Sequence, residues 1–236
     1  KTQKNRRQYQ THALAVHHVQ IQASVCQFHN TAQQGTPFLV QKPQKPSVKK
    51  ADELLADLPA GRKRIALCVK GTFALKTWPK EYFAVVVREL HKKYHGAFFV
   101  VGAPNDREYA DEVIAACEKA MGIEPGNQQK KILNFCGRTS LLDLTALFYR
   151  SDLLVTVDTG ATHIAATTGV KMVTMYGCTS PKRWHPYNDN ARVLSYEPEC
   201  CPCKIGPEDC PSWPKPDCLW QVMPEMVLEK CYELMD

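Results

Sequence analysis

No stretch of this 236-residue chain approaches the roughly 18 consecutive apolar residues expected of a membrane-crossing helix. The run Ala97-Phe98-Phe99-Val100-Val101 has the length of a buried strand. The first residues lack the charged-then-apolar layout of a secretory leader, and the chain opens on Lys1 rather than Met, as a fragment or processed form would. Acidic residues are missing from positions 1–50, which hold eight Lys and Arg. Of the chain's 30 basic residues, 22 remain for positions 51–236 against all 24 acidic ones, so the net charge of +6 belongs to the lead segment. A near-neutral body excludes a broad basic face for duplex nucleic acid, and no nucleic-acid partner is expected. The basic lead reads either as a solvated linker or as a contact for an anionic surface. The eleven cysteines are odd in number, and six are scattered singly. Without a leader, that argues against a disulfide framework and for a reducing, cytoplasmic setting.

Positions 1–50 are rich in Gln, His and Lys, with a weakly periodic helix within 11–28 and the spacer Gln41-Lys42-Pro43-Gln44-Lys45-Pro46, expected to be extended. We read 1–50 as a linker or the remnant of a preceding domain, and 51–236 as the main domain with a Cys-rich C-terminal segment. From Asp52 onward, short apolar runs alternate with helical patterns. Strands are expected at 64–69, 97–101, 131–135, 152–157, 171–176 and 192–195, and helices at 79–94, 106–121, 141–149, 160–168 and 224–234. Strands that are apolar throughout and separated by helices predict an α/β fold, a Rossmann-like parallel sheet with helices on both faces. Right-handed crossovers then place the loops after the strands along one edge, where such sheets bind ligands.

The densest chemistry lies in Asp158-Thr159-Gly160-Ala161-Thr162-His163. A strand ends and a helix starts at once. Gly160 lets backbone approach a ligand closely, and the amides of Thr159, Gly160 and Ala161 at a helix start suit a diphosphate. His163 lies one turn along. The alternative is a plain turn in which Asp158 caps the helix. After the first strand, Thr72 and Lys76 can reach an anion, Lys76 as a mobile charge, while Trp78 reads as core. After the second strand, Asp106 either accepts from ribose hydroxyls or caps its own helix. After the fifth, Thr179, Ser180, Lys182 and Arg183 offer donors. The residues after the first strand, Lys70-Gly71-Thr72-Phe73-Ala74-Leu75-Lys76, do not fit the Gly-x-Gly-x-x-Gly of a nicotinamide enzyme. The carboxylates of a sugar-nucleotide epimerase are not located either. Cys201, Cys203, Cys210 and Cys218 form an irregularly spaced cluster among prolines, readable as structural zinc ligands or as reduced packing thiols.

The ordered set Lys76-Thr77-Trp78-Pro79, Gly102-Ala103-Pro104-Asn105-Asp106, Cys136-Gly137-Arg138-Thr139-Ser140-Leu141, Asp158-Thr159-Gly160 with His163, and Gly177-Cys178-Thr179-Ser180-Pro181 with Trp184 resembles the C-terminal half of glycosyltransferase family 9, over roughly 60–236. That family contains the ADP-heptose:lipopolysaccharide heptosyltransferases. The resemblance implies the donor-binding half of a GT-B fold and transfer of a heptose from ADP-heptose or a similar nucleotide sugar to a lipopolysaccharide core or lipid A acceptor. By the same resemblance, Thr72 and Lys76 contact phosphate, Asp106 holds the ribose, and Thr159 and Gly160 cradle the diphosphate. His163 matches the histidine of that helix, Asp158 fixes the turn and contacts the sugar, and Lys76 stabilises the leaving diphosphate. No cofactor is implied. The general base sits in an N-terminal acceptor domain, here reduced to about 50 residues, with Pro37-Phe38-Leu39 as the connection. A cytoplasmic location, at the inner face of the inner membrane with peripheral attachment, follows from the same family. The other reading is a nucleotide-sugar binding module without catalysis.

Overall fold

The computed structural model describes residues 42–124, 132–203 and 206–236. The helix expected within 11–28, the connection at Pro37-Phe38-Leu39 and Cys26 lie outside them. The first element is a helix, α1 (Lys45–Leu55). It straddles residue 50, where the sequence suggested a boundary, and takes up the end of the expected extended spacer. Pro46 falls in the first turn, where a missing N–H costs nothing. Ala51, Leu54 and Leu55 then make an apolar stripe that is buried in the core.

Six strands follow: β1 (Arg64–Cys68), β2 (Ala97–Val100), β3 (Leu133–Asn134), β4 (Leu153–Val157), β5 (Met172–Tyr176) and β6 (Ala191–Ser195). They form one sheet in the order β3-β2-β1-β4-β5-β6, every neighbouring pair parallel. Helices α2 (Lys80–Tyr94), α3 (Arg107–Ala120), α4 (Leu141–Tyr149) and α5 (Gly160–Ala166) serve as crossovers, and α8 (Pro224–Met235) closes the chain. Two short helices, α6 (Pro181–Trp184) and α7 (Asp217–Trp220), are too brief to leave a periodic trace and were not expected.

The period of two along each strand sorts the core into two layers. Ile65, Leu67, Phe98, Leu153, Val155 and Val173 point to one side, against α2, α3 and α8. Ala66, Cys68, Phe99, Leu154 and Met172 point to the other, against α1, α4 and α5. Trp78, fully buried, donates from Nε1 to the carbonyl of Val222 at 2.8 Å and packs edge-on to Phe83. It ties the first crossover to the C-terminal segment, as its reading as core anticipated.

Two elements are shorter than expected. In β3 the ladder covers Leu133–Asn134, and the side chain of Asn134 bonds the Arg107 carbonyl, Asp111 and the amide of Cys136, where the strand passes into its loop. In α5 the hydroxyls of Thr167 and Thr168 donate back to Ile164 and Ala165, and Gly169 follows at a positive φ of 72°. That is how a helix is ended early. Among the described residues no helix is long and apolar enough to cross a membrane.

Candidate functional site

The strand order reverses between β1 and β4, and the C-terminal edge of the sheet at such a switch point is where ligands of these folds bind. The β1 loop is folded into a tight tongue. Lys70 and Thr77 form an isolated antiparallel bridge, the Gly71 amide donates to the Lys76 carbonyl at 3.2 Å, and Ala74–Lys76 make a 3-10 turn. Leu75 and Trp78 are buried, so the backbone carrying Lys76 is anchored on both sides.

From this tongue, Lys76 Nζ reaches Asp158 Oδ2 at 2.7 Å, the two side chains being 14% and 6% exposed. Thr179, in the loop after β5, donates its hydroxyl to the same carboxylate oxygen. Asp158 is therefore not a simple helix cap: its carboxylate faces Lys76 and Thr179. An ion pair this deep gains from a low-dielectric setting but leaves a large penalty if one partner is removed. Gly71 makes it reachable. A methyl there would stand 2.5 Å from Lys76 Cβ and 3.0 Å from the Asp158 carbonyl oxygen.

The neighbouring loops are stitched on in sheet order. Asp106 pairs with Lys70 at 3.5 Å and accepts the Ala103 amide at 2.9 Å. It thus holds its own loop while joining it to the β1 tongue. The loop after β3 bonds the loop after β2 through the Gly137 amide to the Gly102 carbonyl at 3.0 Å, and Arg107 donates to the Cys136 carbonyl. The loops after β1 to β5 thus form one bonded rim, with the Lys76–Asp158 pair at the switch point.

Thr159 precedes the first turn of α5 in an extended conformation, and its hydroxyl makes no capping bond. The turn is held from behind by Thr156 and Thr162, whose hydroxyls both donate to the Val157 carbonyl. Gly160 is exposed, and a methyl built on it meets nothing within 4 Å, so the protein's own packing does not require glycine there. Ala161 is half-buried, while Thr72 and His163 are exposed and stand outside the bonded set. Burial, and then the charge of Asp158, push the Tyr176 phenol above its usual range, and its hydroxyl donates to the Trp184 carbonyl. Burial raises the Cys178 thiol to about 11, against a smaller lowering by Lys76. It stays protonated beside the site.

Sequence reading missed Lys70, the role of Gly71 and the direct bond of Thr179 to Asp158. Thr179 had been named as a donor but without its partner, and Gly71 left a trace as a glycine in the loop after the first strand. The cysteine set also differs from the expected one. The sulfurs of Cys200, Cys201 and Cys203 lie within 4.8 Å of one another. Cys218 Sγ stands 3.5 Å from a methyl built on Gly177, the residue whose carbonyl oxygen lies 3.6 Å from Cys201 Sγ. Cys210, which follows the 3-10 turn Pro207–Asp209, lies outside that group, with its sulfur 3.8 Å from the Ser212 hydroxyl. The spacing Cys200-x₂-Cys203 was the overlooked signal.

A model of glycosyltransferase family 9 (heptosyltransferase) matches residues 2–212, taking in the basic lead that the motifs alone did not cover. The chain is 27% identical over 177 residues to lipooligosaccharide heptosyltransferase 2 of Campylobacter jejuni, covering 74% of this chain and 52% of that protein. It is 28% identical over 203 residues to the Haemophilus influenzae protein of the same name, covering 84% and 55%. In three dimensions it is similar to Escherichia coli ADP-heptose lps heptosyltransferase II, with a TM-score of 0.65, 23% identity, and 82% and 52% of the two chains covered. The chain thus spans about half the length of the relatives it matches.

Proposed function

This chain belongs to glycosyltransferase family 9, and on that footing we propose that its C-terminal rim binds the diphosphate of a nucleotide sugar, ADP-heptose, for transfer of the heptose to a lipopolysaccharide core acceptor. The observation that carries this reading is the Lys76–Asp158 pair at the switch point, 2.7 Å long and mostly buried, beside a helix start where Gly160 opens onto empty space.

In this reading an acceptor hydroxyl loses its proton to a base outside the rim and attacks the anomeric carbon, and the nucleotide diphosphate leaves from the opposite side with inversion. Negative charge grows on the diphosphate as that bond breaks. Lys76 and the amides of Thr159, Gly160 and Ala161 meet it, preorganised rather than recruited. Asp158 acts as a positioning residue: it holds the ammonium at the rim instead of contacting the sugar. In the same reading Thr72 and His163 would contact the diphosphate and Asp106 would accept from the ribose hydroxyls. The residues ahead of the sheet form the connection to an acceptor-binding domain, and the basic lead favours attachment to the anionic inner face of the inner membrane.

Calorimetric titration of the protein with ADP, UDP, GDP and ADP-heptose tests this. ADP and ADP-heptose should bind, and the other two more weakly. No heat with any nucleotide diphosphate would refute donor binding. Transfer of heptose to an acceptor separates the enzyme from the binding-only module.

A further inference from the structure

We propose that Cys200, Cys201, Cys203 and Cys218 form a four-sulfur site for one zinc ion, which pins the C-terminal segment behind the β5 loop. Three of these sulfurs already lie within 4.8 Å of one another, and Cys218 flanks the same glycine as Cys201: its Sγ stands 3.5 Å from a methyl built on Gly177, whose carbonyl oxygen is 3.6 Å from Cys201 Sγ. Tetrahedral zinc with bonds of about 2.3 Å to sulfur holds its ligands roughly 3.8 Å apart. For Cys200, Cys201 and Cys203 that is a contraction of about 1 Å, within reach of side-chain rotation, and Cys218 would turn in from the Gly177 side to complete the shell.

The surroundings fit a structural ion. Residues 196–216, between β6 and α7, contain one 3-10 turn and no other regular element among the described residues. A stretch that long without secondary structure needs something to hold it. Prolines at 198, 202, 207, 211, 214 and 216 prevent it from building hydrogen-bonded elements of its own. Cys218 is buried and Cys200 exposed, so the cluster runs from the core to solvent and leaves an ion a way in.

The cluster is also fastened to the rim. The Cys203 amide donates to the Cys178 carbonyl at 2.8 Å, and Cys201 Sγ lies 3.6 Å from the Gly177 carbonyl oxygen. Gly177 is wedged between Leu219, the Leu75 carbonyl and Cys218, where a methyl would approach to 3.0, 3.1 and 3.5 Å. Leu75 directly precedes Lys76, and Thr179 follows two residues after Gly177. On binding, each thiol releases its proton to solvent and the ion takes four thiolates.

The test uses the full chain, purified with thiols reduced and no metal added. Elemental analysis should find about one zinc per chain. After chelator treatment, cobalt(II) added to the wild-type protein should give sulfur-to-metal charge-transfer absorption and the visible bands of tetrahedral cobalt, which zinc then displaces. Cys203→Ser and Cys218→Ser should weaken zinc binding by more than the roughly 10- to 100-fold that loss of an outer-shell partner costs. Cys210→Ser should leave it unchanged. Absence of bound zinc together with no charge-transfer band in the wild type would overturn the site, without any variant having to fold. So would a Cys210→Ser protein as impaired as Cys203→Ser. Because zinc is measured directly, neither result depends on whether nucleotide binds.

Discussion

Replacing Lys76 by methionine keeps the unbranched stem, one atom shorter, and removes the ammonium that stands 2.7 Å from Asp158 Oδ2. The carboxylate is 6% exposed, so water cannot take over the role of the cation. Stripping one partner from a buried pair costs about 3–5 kcal/mol. Thr179 still donates to Asp158, which places the expected loss near the lower end, about 3 kcal/mol. For a chain of this size that corresponds to a fall in Tm of roughly 6–12 °C. Diphosphate binding should weaken separately. A hydrogen bond to a charged group contributes about 1.5–3 kcal/mol, or roughly 10- to 150-fold in Kd. A second variant separates the two effects. Lys76→Met with Asp158→Asn removes both charges, so no buried ion is left unpaired. Most of the lost stability should return while the affinity for ADP stays low. Thermal unfolding followed by circular dichroism and calorimetric titration with ADP read the two quantities. A Lys76→Met protein with unchanged Tm would show that the pair is not buried as described. Unchanged ADP affinity would remove Lys76 from the donor site.

Two glycines make opposite predictions. Gly71→Ala should destabilise by about 1–3 kcal/mol and weaken ADP binding, because its methyl meets Lys76 and the Asp158 carbonyl. Gly160→Ala should leave Tm nearly unchanged and still weaken ADP binding, since its methyl meets only space a ligand would fill; equal stability loss in both would refute the distinction. Thr179→Val should cost about 1–3 kcal/mol through the lost bond to Asp158 and lower donor affinity without abolishing it; a neutral result in both assays would make Thr179 incidental. Burial raises Cys68 and Cys117 from 9.0 to about 12, so both keep their protons in the folded protein after the unfolded chain has lost them. Their contribution is complete below pH 9 and is lost as pH rises toward about 12, at up to about 1.4 kcal/mol per pH unit for each group. Unfolding experiments on the reduced protein across that range should show a fall that is shallower in Cys117→Ala; an equal slope would rule the thiol out as a source.

The alternation of apolar runs such as Ala97–Val100 and Leu153–Val157 with amphipathic stretches is a local property, and it was enough to establish the parallel α/β sheet and the edge on which its loops gather. Turn chemistry is equally local: a hydroxyl residue before Leu141, Thr139 or Ser140, suits a helix cap, a role Ser140 takes, and the Asp158-Thr159-Gly160 turn could be singled out before any contact was known. Contacts across the chain left no such mark. Nothing near Lys76 in sequence says that Asp158, 82 positions later, will take its charge, or that Lys70 will turn to Asp106. Those pairings depend on β1 and β4 becoming neighbours at the reversal of strand order, which only the packed sheet decides. The cysteines show the same division: the composition marked a cluster, but which sulfurs meet depended on a proline-rich segment folding so that Cys200 joined Cys201 and Cys203 while Cys210 faced Ser212. Short-range patterning determines which elements form, whereas the partners of a buried charge are chosen by the burial itself, because that choice is made by whatever the fold brings within hydrogen-bonding distance once water has been excluded.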